Sequence, residues 1–354
     1  ILSPTGHLVA IHDDAVSPRP SAVASEIAGI IDQLHQAGEV SDTDISVRLV
    51  SVNERLTDAI FERVTQAGAA HYVHVDRDGD AVMAFRFTEH ATPTYTVDRF
   101  NAQVADGRDA PALLFRPREI VEGTPLMLTL HGGPQAHDMA VANLYQQTAL
   151  RRGSPVLAVN YRGSTGHGLA HERAGDMQFD SGMLDDISAA IAESFERLGG
   201  PRPLLITGGS FGGHLSFASA REWPAETCAV IVKAPAADLA AFQERAWSYV
   251  GDATNAYWAA LYGRWYDAED AQRLIAASAV TRPDNWDIPV AVITGAEDRI
   301  TPLDQVSRLA EAYEDVLFSP FEPIEGAGHD LRPHKLAPVF DDAVQQALSG
   351  PCAF

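Results

Sequence analysis

From about residue 96 the chain repeats strand, loop and helix, and its strand-like segments lack polar alternation. "PALLF", "PLMLTL", "SPVLAVN", "PLLIT", "CAVIVKA", "IPVAVIT" and "VLFSPF" are the candidates. A strand without alternation has to be covered on both faces. The segments between them carry helical periodicity. Leu184, Ile187 and Ile191 share one face, and Val306, Leu309, Ala310 and Tyr313 share another. This pattern predicts an α/β fold, with a mostly parallel central sheet flanked by helices. No internal repeat or low-complexity segment is present, so a long propeller or solenoid is not encoded in these residues.

Residues 1–95 have a different texture and read as a small N-terminal α/β or α+β unit ahead of a larger domain at 96–354. "HLVAIHDD" and "ISVRLVSV" read as strands, and "HYVHVDRDGDAVMAFRF" as a hairpin around Asp78 and Gly79. "ASEIAGIIDQLHQAG" and "LTDAIFERVTQAG" read as amphipathic helices closing on glycine. His71 and His74 are three apart on a strand and so point to opposite faces, which argues against a shared metal ion.

The formal charge of −22 opposes binding to nucleic acid, because phosphate would be repelled. Only two of the 26 basic residues are lysines, Lys233 and Lys335. No apolar run approaches the roughly 18 residues of a membrane span, so no membrane association is expected. Two cysteines, Cys228 and Cys352, imply no disulfide framework. The chain reads as cytoplasmic, with a processed leader ahead of Ile1 left open. No residue pattern calls for a metal or an organic cofactor.

"PLLITGGSFGGHLSFASARE" carries Gly208-Gly209-Ser210-Phe211-Gly212, a G-x-S-x-G match between a strand and a helix. Such a turn lifts a serine hydroxyl above the sheet, and only glycine two residues to either side lets the backbones approach closely enough. A neutral hydroxyl is a poor nucleophile and needs a base, which in turn needs an acid to orient it. Both partners are expected at later strand ends. "IPVAVITGAEDRITP" offers Asp298 just past a strand, and "EPIEGAGHDLRP" offers His329 on a glycine-flanked loop. Glu297 and Asp330 compete for the acid role, with Asp298 in the more suitable turn position. The order serine, aspartate, histidine is that of α/β-hydrolases. Acyl transfer also needs donors for the oxyanion. The backbone amide of Phe211 is one, and the turn His131-Gly132-Gly133-Pro134 after "LMLTL" stands where the second is required.

In order and spacing, "LHGGP", "NYRGSTGHG", "GGSFGGH", "GAEDRITP" and "GAGHD" resemble the catalytic domain of the prolyl oligopeptidase family of serine peptidases, especially its acylaminoacyl-peptidase-like branch. The resemblance runs from about residue 96 to 350. It implies an α/β-hydrolase fold with Ser210 as nucleophile, His329 as general base and Asp298 as its orienting acid. It also implies the Gly133 and Phe211 amides as the oxyanion hole, but the gate that restricts such enzymes to short peptides is not carried over. Two features depart from the pattern. Phe211 and His214 stand where the family often has tyrosine, and about 95 residues stand where it usually has a full β-propeller.

Between the serine and the acid, "AWSYVGDATNAYWAALYGRWYD" places Tyr257, Leu261 and Trp265 at four-residue spacing, and likewise Trp258, Tyr262 and Tyr266. Core packing is the first reading of these strips and an acyl pocket the alternative; Trp247 and Tyr249 are the residues chosen for pocket lining. Three functions follow. One is a serine hydrolase cleaving short peptides or peptide-like amides through an acyl-enzyme. Another is a carboxylesterase on small acyl esters, and the third is a catalytically silent hydrolase fold used for binding. The N-terminal unit is expected to cover the site or to build a subunit contact in a homo-oligomer.

Overall fold

The computed structural model describes residues 95–249, 259, 263, 267–329 and 333–353 and, of the first 94, six strands; for those strands and residues 144, 246–249 and 333–337 it describes the backbone alone. The chain divides into two compact units. The first comprises Ile1–Thr94, Met139–Ala142 and Gly166–Gly168, and the second Tyr95–Asp138, Asn143–Thr165 and Leu169–Phe354.

In the first unit β1 (Ala10–Ile11) pairs antiparallel with β2 (Arg19–Pro20). β3 (Asp44–Val52), β4 (Asp58–Thr65), β5 (Ala70–Asp76) and β6 (Ala81–Phe87) form a four-stranded antiparallel sheet in chain order. The hairpin expected over 71–87 is β5 and β6. The helix expected over "LTDAIFERVTQAG" is instead the strand β4, paired on both edges by β3 and β5. Its helical spacing competes with Ile60, Phe61, Val64 and Thr65, residue types that suit a pleated surface, and two flanking ladders decide for the strand. The second expected helix, "ASEIAGIIDQLHQAG", lies outside the described residues.

The second unit is built on a seven-stranded sheet in the order β13-β12-β11-β9-β10-β8-β7. Its strands are β7 (Tyr95–Gln103), β8 (Asp109–Pro117), β9 (Leu126–Leu130), β10 (Val156–Val159), β11 (Leu204–Gly209), β12 (Thr227–Lys233) and β13 (Val290–Ile293). Neighbours among β9 to β13 are parallel, and β7 and β8 add an antiparallel edge. β7 escapes the sequence reading because it alternates, as an edge strand open on one face does. "VLFSPF" forms no strand. It begins in a 3-10 turn and meets the sheet through an isolated bridge of Leu317 with Val290; a second bridge, Ile324 with Gly295, follows just past it. Pro320 in this segment and Pro323 just past it have no N–H to give a ladder.

The helices are α1 (Leu144–Leu150), α2 (Leu169–Arg173), α3 (Gly182–Arg197), α4 (Phe211–Glu222), α5 (Leu239–Tyr249), α6 (Ala268–Ala277), α7 (Leu303–Ala312) and α8 (Pro333–Ser349). Strand alternation divides them between the two faces. Leu126, Leu128 and Leu130 join a core with Ile187 and Ile191 of α3 and Leu215 of α4. Thr129 points the other way, and its Oγ1 accepts a 3.1 Å hydrogen bond from Gln146 of α1. Each fully buried aliphatic side chain in that core contributes about 1.5–3 kcal/mol. Val306, Leu309, Ala310 and Tyr313 are buried together, as their spacing predicts.

The two cysteines pair. Cys228 on β12 is bonded to Cys352 beyond α8, across a sequence separation of 124. This corrects the expectation from their small number. Two cysteines so far apart carry no local signal of contact, and the return of α8 to the sheet brings their Cα atoms to 5.1 Å. Among the described residues no helix is long and apolar enough to cross a membrane.

Candidate active site

β11 ends at Gly209 and α4 begins at Phe211, so Ser210 is the whole turn between strand and helix. It takes φ 54° and ψ −122°, a conformation L-residues rarely adopt. Neighbouring backbone holds it there. The Ser210 N–H donates to the Lys233 and Ala234 carbonyls at 3.0 and 3.1 Å, and the Ser210 carbonyl accepts from Gly213 and Ala236 at 3.0 and 2.9 Å. The flanking glycines are required by space. A Cβ on Gly208 would collide with the Gly212 carbonyl, and one on Gly212 with the Leu130 and His131 carbonyls.

Asp298 follows β13 in a turn that its own side chain organises. Oδ1 accepts the N–H groups of Ile300 and Thr301 at 2.8 and 3.0 Å. Oδ2 accepts the Thr301 hydroxyl at 2.8 Å and lies 2.8 Å from Nδ1 of His329. Burial by itself would raise the pKa of this carboxyl, but the hydrogen bonds from His329 and Thr301 and the histidine's charge outweigh it and hold the pKa below the usual carboxylate value. The competitors for this position fare differently: Glu297 is exposed, and Asp330 lies outside the described residues.

Ser210 and His329 line one cavity of about 270 Å³, together with His131, Gly132, Asp138 and Lys233. Gly132 packs against the Ser210 turn, where an added Cβ would stand 3.2 Å from Cβ of Ser210. Gly133 follows with φ 117° and a cis bond to Pro134. The turn is fixed from behind: the Tyr161 hydroxyl donates to the His131 carbonyl at 2.7 Å, and the two rings stack with centroids 4.5 Å apart. Nε2 of His131 lies 2.8 Å from the Ser164 hydroxyl. Phe211 is buried at the first turn of α4. Trp247 and Tyr249 fall in α5, but their side chains lie outside the described residues, as does the aromatic stretch at 257–266 apart from Ala259 and Gly263.

A sequence profile described as the prolyl oligopeptidase family matches residues 141–331, over half of the chain. The chain belongs to the prolyl oligopeptidase family. Among its relatives, dipeptidyl aminopeptidase BIII of Pseudoxanthomonas mexicana is 35% identical over 113 residues, covering 31% of this chain and 16% of that protein. The acylamino-acid-releasing enzyme of Sus scrofa is 27% identical over 224 residues, covering 56% of this chain and 28% of the pig enzyme. In fold, the chain superposes on a puromycin hydrolase with a TM-score of 0.74 at 22% identity, over 88% of this chain and 48% of that one. A puromycin-hydrolyzing peptidase of Mycobacterium tuberculosis gives 0.71 at 23%, over 83% and 47%. The chain thus spans under a third of these curated relatives and about half of the solved chains. Within the prolyl oligopeptidase family its second unit has the α/β-hydrolase architecture, with a mostly parallel sheet between two helical layers.

Tyr161 and Ser164, which brace the His131 turn, lie in the "NYRGSTGHG" motif of the resemblance. Sequence reasoning missed Thr301, which braces Asp298, and Asp138, Tyr145 and Lys233, which line the cavity itself. Of these four, Lys233 alone left a signal, as one of two lysines in an arginine-rich chain.

Proposed function

We propose that this chain carries the catalytic machinery of a serine peptidase that cleaves short peptides or peptide-like amides. The observation that carries the reading is a strained Ser210 sharing a cavity with His329, whose Nδ1 is 2.8 Å from the buried Asp298. In this reading Ser210 Oγ attacks the scissile carbonyl and His329 Nε2 takes its proton. Asp298 holds the Nδ1–H tautomer and stabilises the imidazolium as it forms. The backbone amides of Gly133 and Phe211 are the proposed oxyanion donors. The protonated His329 then gives its proton to the leaving amine, and water repeats the sequence on the acyl-enzyme. Membership of a peptidase family favours amide over ester substrates, and every proposed catalytic side chain is present, which favours an enzyme over a silent binding protein. The Cys228–Cys352 disulfide favours an oxidising compartment over the cytoplasm.

The test is labelling by a fluorophosphonate probe together with turnover of aminoacyl and peptidyl amides against short-chain p-nitrophenyl esters. Labelling lost in Ser210→Ala, with amide turnover competitive with ester turnover, is the expected result. Ester turnover alone would make the protein an esterase, and a folded wild type without labelling or turnover would end the catalytic reading.

A further inference from the structure

The cavity that holds Ser210 contains two charged groups for which hydrolysis by the proposed triad has no use. Lys233 is the last residue of β12. Strand alternation buries Val230 and Val232 in the core with α4 and turns Lys233 to the opposite face, toward α1 and α8. In register Lys233 stands beside Gly209, the residue before Ser210. Its stem crosses that glycine, where an added Cβ would meet Lys233 Cβ and Cε at 3.8 Å each. The ammonium comes to rest 3.6 Å from the centroid of the Tyr145 ring on α1 and 5.0 Å from that of Phe340 on α8. Among the described residues it makes no hydrogen bond and has no carboxylate within 4.0 Å.

Asp138 stands on the loop after Pro134, and its main chain is clamped. Its N–H donates to Asn160 Oδ1 at 2.7 Å, and its carbonyl accepts from Asn160 Nδ2 at 3.0 Å. The carboxylate itself is left open, with Oδ2 buried and without a hydrogen-bond partner. Burial drives the two groups toward neutrality, Asp138 up to about 7 and Lys233 down to about 8, and each charge partly sustains the other. Both nevertheless keep some surface open to the cavity.

Holding opposite charges at depth without letting them meet is costly, and a fold selected for stability alone would pair them or replace them with apolar side chains. The vacant functions are complementary: N–H donors at one point and an acceptor at another, with no net charge between them. A carboxylate would satisfy Lys233 and repel Asp138, and an ammonium would do the reverse. A carboxamide has its own acceptor and donor on adjacent atoms and is neutral.

We propose that Lys233 and Asp138 form a carboxamide-binding subsite in the Ser210 cavity, the ammonium donating to the amide oxygen and the carboxylate accepting from the amide N–H. The amide is either a glutamine or asparagine side chain of the substrate or one of its backbone peptide groups. This inference rests on the serine peptidase reading of Ser210.

The test compares kcat/KM across short peptidyl amides that carry Gln, Glu, Lys or Met at each position flanking the scissile bond, with a second series N-methylated at each backbone amide in turn. Fluorophosphonate labelling of the same preparation reports separately on Ser210. The expected result is a preference of about 10- to 100-fold for Gln over Met and Glu at one position, or an equal loss on methylating one linkage. Lys233→Met should reduce that ratio to within about 3-fold. A preference for Glu would make Lys233 a lone anion site, a preference for Lys would make Asp138 a lone cation site, and no preference in either series would leave the pair without a ligand. Each of these overturns the proposal, as does a ratio that survives Lys233→Met. If that variant does not fold, wild-type selectivity across the two series decides alone. Absence of labelling would sink the peptidase reading itself, whereas labelling without amide selectivity would sink only the subsite.

Discussion

On the His329 side of the cavity Asp298 uses both carboxylate oxygens, taking four hydrogen bonds from Ile300, Thr301 and His329. On the Lys233 side the Asp138 carboxylate has a buried oxygen with no partner, and the ammonium rests on aromatic rings. Asp298 is buried and Asp138 partly so, yet their pKa values move in opposite directions: hydrogen bonds and the neighbouring histidine draw Asp298 down, whereas desolvation drives Asp138 up. The contrast separates two uses of buried charge. A saturated carboxylate is rigid and permanently ionised, which suits a group that must hold an imidazole in one tautomer through a reaction. An unsaturated one is costly until a ligand supplies what is missing, which suits recognition.

The sharpest way to break this contrast is to attack the two sides separately. Ser210→Ala should lower kcat by about 10⁵- to 10⁶-fold in amide hydrolysis while the protein stays folded. A residual rate within a hundred-fold of wild type would move the chemistry elsewhere. Asp298→Asn should come next, lowering kcat by about 10⁴-fold with little change in KM, because the tautomer is no longer enforced. A change confined to KM would mean that this side also serves binding.

The frame around the Lys233 side depends on α8, which carries Phe340 and is followed by Cys352. Cys352→Ser, or reduction of the disulfide, should lower unfolding stability by up to about 5 kcal/mol, since the bond closes a loop of well over a hundred residues. Chemical denaturation with and without reductant measures this, and equal midpoints would show that α8 is held by packing alone.

A smaller effect concerns pH. Asp138 titrates near 7 in the folded protein, against 3.8 for a free carboxyl. Between those values the folded state binds a proton that the unfolded state releases, so this group's contribution to stability is full below pH 3.8 and is lost as pH rises to about 7. Asp138→Asn should therefore stabilise the protein more at pH 8 than at pH 5, by about 2 kcal/mol. Urea unfolding at both values would reveal it; an equal change at the two would mean that the carboxylate is satisfied after all. The smallest effect is expected for Thr301→Val, which deletes one of the four bonds to Asp298 and should cost about 5- to 10-fold in kcat. If kcat falls as far as in Asp298→Asn, the hydroxyl matters beyond bracing the carboxylate.

The parts of this protein legible in the sequence are those written in adjacent residues. Apolar runs without alternation predict strands covered on both sides, and β8 to β13 follow. The G-x-S-x-G turn predicts Ser210 between strand and helix, because the need for glycine at 208 and 212 arises within a few residues of chain. The strand β4 reads as a helix in sequence because its spacing is helical while its residue types suit a strand, and only the ladders on either edge choose between them. The turn position already favours Asp298 over its neighbour Glu297 as the partner of His329, and the folded turn after β13 buries the one and exposes the other. Tertiary structure alone decided more distant pairings: that Cys228 reaches Cys352, and that Lys233 and Asp138 share a cavity with Ser210. Those outcomes depend on which face of the sheet a side chain points to and which distant segment returns to cover it. Such long-range contacts carry no period or spacing in the chain.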